Sequence, residues 1–313
     1  MRLAYYLIIT TAFLFSCQSE KDETILNTGR TDFHIEVDGA ERHAAVHVPA
    51  SYDGSQEYPM ILMLHGTGGT GNKFYNVSGW VGKAEEEGII AVFPTALEYD
   101  LIDGTRTTKW SSDGLTEQLA PGTEVRDDKI FIERLLNELI GDLKIDQRRI
   151  YICGFSNGSG FVKSEIIPNM GHLFAAANVT GGIGIPQSYE ISGGRTMPVF
   201  NIAGTMDVKV FEKIGDNSEL PIEGMDIENH DFIWGQISTF CDMLGLEVEY
   251  DEMPNPPSWN QLVFKNKMDN TASDEYRFMM VKDMAHVFPN GSNNPRGVKA
   301  VDHLWPWFER WSL

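Results

Sequence analysis

The chain has 313 residues, of which 42% are apolar and 22% charged, a composition that predicts a globular protein and excludes an intrinsically disordered one. Its 45 acidic and 25 basic side chains give a formal net charge of −20, and such a surface repels phosphate backbones, which excludes nucleic acid as a partner. Neutral or weakly charged substrates are favoured instead.

The first residues of the chain predict export. Arg2 precedes an apolar run at residues 3–15 that is too short to span a bilayer, so residues 1–16 are predicted to be a signal peptide. The run ends at Leu-Phe-Ser-Cys17, which resembles the lipobox of bacterial lipoproteins and makes Cys17 the predicted lipidation site. An ordinary signal peptide with a chance cysteine is the alternative. With lipidation, residues 17–29 form a polar tether that holds the protein in the bacterial cell envelope through a lipid anchor only.

Residues 30–313 contain no repeat and no linker, so we expect one domain. Runs at residues 33–37 and 44–48, joined at Asp38-Gly39, predict an antiparallel hairpin. Short apolar runs typical of strands in a parallel sheet follow at residues 60–64, 89–93, 149–153, 174–179 and 198–203. Helical patterns lie at residues 81–87, 128–143, 158–167 and 229–244, and strands at 247–252 and 276–281 precede a last helix at about 298–311. The alternation predicts an α/β fold, with a mainly parallel sheet, an antiparallel start and helices on both faces.

Two cysteines remain besides Cys17. An exported protein could pair Cys153 with Cys241 in a disulfide. Cys153 lies in an apolar predicted strand, where a buried thiol is the simpler state. The sequence leaves both alternatives open.

Three residues with complementary chemistry each follow a predicted strand. Ser156 follows residues 149–153, Asp207 follows residues 198–203, and His286 follows residues 276–281. Reactive groups in such sheets cluster beyond the carboxyl ends of the strands, and the order Ser, Asp, His is that of the α/β-hydrolase triad. The sequence therefore predicts a site for nucleophilic catalysis.

The serine lies in Gly154-Phe-Ser156-Asn-Gly158, between a predicted strand and a predicted helix. A sharp strand-to-helix turn strains the backbone at the serine, and side chains at the two flanking glycine positions would collide with the neighbouring elements. The turn would hold the hydroxyl above the sheet, at a helix N-terminus that favours developing negative charge. Ser156 is the predicted nucleophile.

His286 is the predicted general base, because an imidazole can take the serine proton and return it to the leaving group. Asp207 is predicted to hold the other ring nitrogen and to stabilise the imidazolium. Three other acids of the next segment could reach the same space from a loop: Asp216, Asp226 and Asp231.

A glycine-rich run, His65-Gly-Thr67-Gly-Gly69, follows the strand at residues 60–64 and is typical of an oxyanion loop. The backbone N–H groups of Thr67 and Asn157 are the predicted oxyanion donors. A plain glycine turn is the alternative, and a phosphate-binding loop is excluded because Gly-Lys-Ser/Thr is absent. No Cys-x-x-Cys pattern and no Glu-flanked histidine pair occurs, so we expect no metal and no cofactor.

These residues resemble the secreted esterase family of poly(3-hydroxybutyrate) depolymerases, feruloyl esterases and acetyl xylan esterases. The resemblance covers roughly residues 30–313 and depends on "YPMILMLHGTGGTG", "IDQRRIYICGFSNGSG", "NIAGTMD" and "AHVFPNG". It implies an α/β-hydrolase fold and a serine esterase that acts on polymer-linked acetyl, feruloyl or hydroxyalkanoate esters. Family members carry Gly-His-x-Trp-Pro where this chain has Ala285-His286-Val-Phe288-Pro, so the acyl group and the polymer stay open.

Specificity is expected to come from loops. Residues 97–123 hold Trp110 and residues 255–259 hold Trp259, and both tryptophans are candidates for substrate contact, with burial in the core as the alternative. Two further functions are compatible with the pattern: a serine peptidase of the prolyl-oligopeptidase type, and a non-catalytic surface lipoprotein that binds glycan. The amino-terminal propeller of such peptidases is absent here, and an intact Ser, Asp and His favours catalysis.

Overall fold

A computed structural model describes residues 27–182, 191–192, 195–255, 257–265 and 274–313. The predicted signal peptide, Cys17 and the predicted tether as far as residue 26 lie outside the described residues. Within those described ranges, no helix has the length and apolar character needed to cross a membrane.

The described strands are β1 (Gly29–Val37), β2 (Ala40–Val48), β3 (Tyr58–Leu64), β4 (Ile90–Thr95), β5 (Glu98–Asp100), β6 (Arg106–Thr108), β7 (Ile145–Phe155), β8 (Ala176–Thr180), β9 (Val199–Gly204), β10 (Tyr250–Asn255), β11 (Trp259–Lys265) and β12 (Glu275–Val281). One sheet has the order β1-β2-β4-β3-β7-β8-β9-β12-β11-β10, and β5 pairs with β6 apart from it. Neighbours from β4 to β12 run parallel, whereas the pairs at both ends are antiparallel. The predicted parallel sheet with an antiparallel start is confirmed.

The first hairpin forms where the sequence predicts it. Asp38 and Gly39 link β1 to β2 and both have positive φ angles, 50° and 71°. A two-residue turn of this kind matches the twist of the flanking strands, and it favours Asp-Gly because both positions lie in the left-handed region. The hairpin then joins the parallel strands through an antiparallel pairing of β2 with β4.

The described α-helices are α1 (Gly71–Val77), α2 (Trp80–Glu87), α3 (Asp128–Asp142), α4 (Asn157–Phe161), α5 (Ile167–Asn169), α6 (Val208–Ile214), α7 (Gly224–Glu228), α8 (Asp231–Leu244) and α9 (Ala300–Phe308). A π-helical turn, Val162–Ile166, joins α4 to α5. Successive residues of β3 enter different cores: Leu62 belongs to the core that contains residues of α3 and α8, and Met63 to the core that contains residues of α1, α2 and α9. Helices therefore cover both faces of the sheet, as predicted.

The two cores separate the remaining cysteines. Cys153 of β7 lies in the core that contains residues of α9, Cys241 of α8 lies in the other core, and both are free thiols. Burial raises the pKa of both thiols, to about 12 for Cys241. The alternative of a disulfide is wrong, because the sheet lies between the two sulfur atoms.

The last third of the chain differs most from the prediction. The strand predicted at residues 247–252 is β10, three residues later, and β11 was not predicted. The apolar part of β11 is only Leu262, Val263 and Phe264, a run too short to identify a strand without its neighbours. Pairing with β12 on one side and β10 on the other supplies the stabilisation that the local sequence does not show.

Candidate active site

Ser156 lies at a strained turn between β7 and α4. Its φ and ψ angles are 52° and −115°, a conformation that side-chain-bearing residues rarely adopt. A Cβ atom on Gly154 would lie 2.5 Å from the carbonyl oxygen of Gly158, and one on Gly158 would lie 2.6 Å from that of His65. The predicted turn is confirmed, and the two glycines allow the backbones of β7, α4 and the loop after β3 to approach one another.

The three predicted side chains meet at the carboxyl ends of β7, β9 and β12. The Oγ of Ser156 lies 2.9 Å from Nε2 of His286. Nδ1 of the same ring lies 2.9 Å and 3.0 Å from the two carboxylate oxygens of Asp207. A continuous series of hydrogen bonds thus links the hydroxyl, the imidazole and the carboxylate. The three residues that the sequence predicts to act together are therefore in contact in the structure.

Asp207 is fixed by its position as well as by the histidine. It is 1% exposed and caps the N-terminus of α6, where its carboxylate accepts a hydrogen bond from the N–H of Lys209 at 2.9 Å. The alternative acids Asp216, Asp226 and Asp231 are all exposed to solvent. Among the acids considered, Asp207 alone contacts His286 within the described residues.

The predicted oxyanion loop lies against the serine. A Cβ atom on Gly66 would lie 3.0 Å from the Cβ of Ser156, so only a glycine lets the loop come this close. Thr67 is exposed beside it, and Asn157 is the first residue of α4. In the part of the chain that the structure describes, neither backbone N–H donates to a protein acceptor. Both N–H groups are therefore available to a ligand, as the prediction requires.

His65 holds this loop from inside, a role that sequence reasoning missed. The ring is fully buried; Nδ1 lies 2.7 Å from the carbonyl oxygen of Gly66, and Nε2 accepts a hydrogen bond from the N–H of Ala96 at 3.0 Å. Burial lowers the pKa of His65 to about 4. A neutral ring that donates from Nδ1 and accepts at Nε2 satisfies both contacts.

The structure contradicts the prediction that Trp110 contacts substrate. Its side chain has no exposed surface and stacks on Phe161, with 5.7 Å between ring centroids. The indole Nε1 donates to the carbonyl oxygen of His65 at 2.9 Å, and the backbone N–H donates to Oδ1 of Asn157 at 2.7 Å. The loop at residues 97–123 turns its tryptophan inward, because this ring fills the core between α4 and the oxyanion loop.

Trp259 is partly buried at the start of β11. It pairs with Val281, the last residue of β12, and its ring meets that of His303 edge-on with 5.1 Å between centroids. No described contact joins it to Ser156, Asp207 or His286. Substrate contact by Trp259 stays a prediction.

A buried ion pair lies behind the site and was also missed. Arg42 of β2 donates to Oδ1 of Asp128 at 2.5 Å, and both side chains are almost fully buried. The guanidinium lies over the ring of Phe131, 3.8 Å from its centroid. Asp128 is preceded in the sequence by a second aspartate, Asp127. The structure separates their roles, since Asp127 caps α3 through the N–H of Lys129.

The described residues contain no group of three or more His, Cys, Asp or Glu side chains placed to hold a metal ion. The contacts of Ser156, His286 and Asp207 are suited to proton transfer and to nucleophilic attack by Ser156.

Comparison with known proteins finds relatives in sequence and in structure. No protein-family model matches the chain. Over 224 residues, 70% of the chain, the sequence is 23% identical to the bifunctional acetylxylan esterase/xylanase XynS20E of Neocallimastix patriciarum, and the match spans only 27% of that protein. The crystal structure of acetyl xylan esterase from Aspergillus awamori covers 86% of this chain and 94% of its own, with a TM-score of 0.56 at 14% identity. An S-formylglutathione hydrolase from Agrobacterium tumefaciens covers 91% of this chain and 96% of its own, with a TM-score of 0.54 at 14% identity.

Proposed function

Because the chain has the α/β-hydrolase fold and its sequence is similar to that of an acetylxylan esterase, we propose that it is a serine-dependent carboxylic ester hydrolase. The fold class and the resemblance to esterases of this fold, both predicted from the sequence, are confirmed by these comparisons. The observation that carries the proposal is the hydrogen-bonded series of Ser156, His286 and Asp207 at the strained turn.

The proposed reaction is a two-step acyl transfer. Ser156 attacks the ester carbonyl while Nε2 of His286 takes the hydroxyl proton, and Asp207 stabilises the imidazolium through Nδ1. The carbonyl oxygen becomes an oxyanion on the N–H groups of Thr67 and Asn157. His286 then gives its proton to the departing alcohol, leaving an acyl group on Ser156. Water, deprotonated by His286, attacks this acyl group, releases the carboxylic acid and restores the serine.

An acetyl ester on a polysaccharide is the substrate that we favour, because one sequence relative is a bifunctional acetylxylan esterase/xylanase. Feruloyl and hydroxyalkanoate esters are the other substrates that this proposal includes. The proposal also includes export and lipid anchoring at Cys17, because a polymer outside the cell requires an enzyme outside the cell. This part of the proposal depends on the sequence pattern of residues 1–17. Turnover of acetylated xylan, methyl ferulate, short p-nitrophenyl esters and polyhydroxybutyrate, measured side by side, ranks these substrates. Activity on peptides alone would support the serine peptidase instead.

The decisive test removes one oxygen atom. Ser156→Ala is expected to lower kcat for p-nitrophenyl acetate by a factor on the order of 10⁴ or more, because no nucleophile remains for the acyl-enzyme. Circular dichroism should show an unchanged fold. Ser159→Ala is the matched control: the Oγ of Ser159 is buried in the same region of the chain without a described hydrogen-bond partner, so its loss should leave the rate close to that of the wild type. A Ser156→Ala variant that turns over at the wild-type rate would refute the assignment.

A further inference from the structure

Both halves of the predicted oxyanion hole contact the same short stretch of chain, residues 108–112, here termed the clamp segment. On the first half, the N–H of Gly68 donates to the carbonyl oxygen of Thr108 at 3.0 Å. The hydroxyl of Thr108 donates in turn to the carbonyl oxygen of Gly69 at 2.7 Å. These two bonds pair the end of β6 with the residues immediately after Thr67, so the clamp segment fixes the conformation of this loop.

The second half is bound by the same stretch two residues later. Oδ1 of Asn157 accepts the backbone N–H of Trp110 at 2.7 Å, and its Nδ2 donates to the Oγ of Ser112 at 2.9 Å. The indole of Trp110 reaches back to the first half, where it donates to the carbonyl oxygen of His65. One tryptophan therefore bonds to both the residue that opens the oxyanion loop and the residue that follows Ser156.

The clamp segment is itself anchored to the interior. Between Trp110 and Ser112, the N–H of Ser111 donates to Oδ2 of Asp128 at 2.7 Å, and its Oγ accepts the N–H of Asp128 at 3.0 Å. Asp128 is held by its buried ion pair with Arg42. Removing one partner of such a pair leaves an uncompensated charge, so the anchor is rigid and costly to break.

We propose that the clamp segment sets the distance between the N–H groups of Thr67 and Asn157, which makes Thr108 and Trp110 positioning residues for the reaction. The inference rests on the proposed esterase function. Oxyanion donors act only when they lie about 2.7–3.1 Å from the developing charge, and a misplacement of about 1 Å lowers a rate by up to about 100-fold. The donors belong to two segments far apart in the sequence, and the clamp segment contacts both.

Thr108 offers a nearly isosteric test. Thr108→Val keeps the volume and removes the hydroxyl bond to Gly69, whereas Thr108→Ser keeps the hydroxyl and removes a methyl group. For p-nitrophenyl acetate we expect kcat to fall about 10- to 100-fold in the valine variant with KM nearly unchanged, and to stay near the wild-type value in the serine variant. Affinity for a trifluoromethyl ketone, which forms a tetrahedral oxyanion on the serine, should fall in parallel with kcat/KM in the valine variant alone.

A purely structural role for Thr108 would change the melting temperature and leave kcat and inhibitor affinity intact, and this result would overturn the proposal. Equal rates for the valine and serine variants would overturn it too. Should the valine variant fail to fold, Trp110→Phe removes the indole bond to His65 and part of the ring volume while keeping an aromatic ring against Phe161, and the same loss of kcat is expected. A wild-type protein that hydrolyses no ester would instead refute the proposed function, whereas an active wild type with a fully active valine variant refutes the clamp alone.

Discussion

The Ser156 half and the Asp207 half of the site are held in place by different means. Around Ser156, the backbone is strained and the contacts come from segments remote in sequence, including the oxyanion loop, the clamp segment and Asp128. Most of these groups are buried. The positions of Ser156 and of the oxyanion loop therefore depend on contacts with buried residues in the protein interior.

The Asp207 half is built from two adjacent turns, one after β9 and one after β12. The hydroxyl of Thr205 accepts the N–H of Asp283 at 2.8 Å, and the N–H of Met206 donates to the carbonyl oxygen of Met284 at 2.9 Å. Asp207 itself has an ordinary extended conformation with φ −74° and ψ 100°. Because β9 and β12 are parallel neighbours, their register brings the two turns side by side, and the bonds between these turns then place the carboxylate next to the imidazole.

This difference indicates that changes in the two halves should have separable effects. A substitution at Asp207 should change the chemistry and leave stability almost intact, since the local turn and the cap of α6 survive. A substitution among the buried polar groups behind Ser156 should change stability first. The following variants test this separation.

The largest effect on rate is expected for Asp207→Asn. An amide keeps the shape and can still accept the N–H of Lys209, but it can present an N–H group to Nδ1 of His286 and so favour the tautomer that cannot take the serine proton. We expect kcat for p-nitrophenyl acetate to fall by a factor on the order of 10⁴, with a change in unfolding free energy below about 1 kcal/mol. Stopped assays and urea unfolding on the same preparation give both numbers. A large loss of stability would show that the effects of Asp207 on catalysis and on stability cannot be separated.

A pH-dependent loss of stability is expected from His65, in the Ser156 half. The pKa of this ring in the folded protein, about 4, lies below its unfolded value of 6.5, so the unfolded chain binds the extra proton first as the pH falls. The stabilisation is fully present above pH 6.5 and declines between pH 6.5 and pH 4. Between pH 7.5 and pH 5.0 the wild type should lose roughly 2 kcal/mol on this account.

Urea unfolding at these two pH values checks the expectation. His65→Gln lacks a titrating group, so the drop in stability between pH 7.5 and pH 5.0 should be smaller than in the wild type by roughly 2 kcal/mol. His172→Gln, at an exposed histidine between α5 and β8, is the control and should keep the wild-type drop. Equal drops for wild type and His65→Gln would show that the ring is not held neutral by burial.

The two halves also differ in how far the sequence predicts them. Strand ends followed by Ser156, Asp207 and His286 are local patterns, and a parallel sheet necessarily brings such ends to one edge. The clamp segment has no such pattern. The partner of Trp110, Asn157, lies 47 positions away in the sequence, and the partner of Ser111, Asp128, lies 17 positions away. An aromatic residue in a long loop is compatible with substrate contact and with core packing, and only the packed fold decides between them.

The smallest effect is expected for Trp259→Ala, at the outer edge of the Asp207 half. The ring packs edge-on against His303 and pairs across the sheet with Val281, contacts worth about 1 kcal/mol of unfolding free energy. Because no described contact links it to the hydrogen-bonded series, kcat and KM for p-nitrophenyl acetate should stay within about twofold of the wild type. If Trp259 instead stacks on a sugar or phenolic ring of a larger substrate, KM for acetylated xylan or methyl ferulate rises while the small ester is unaffected. A tenfold loss of activity on p-nitrophenyl acetate would show that Trp259 belongs to the same functional unit as Asp207. The edge of the sheet would then not be separable from the Asp207 half.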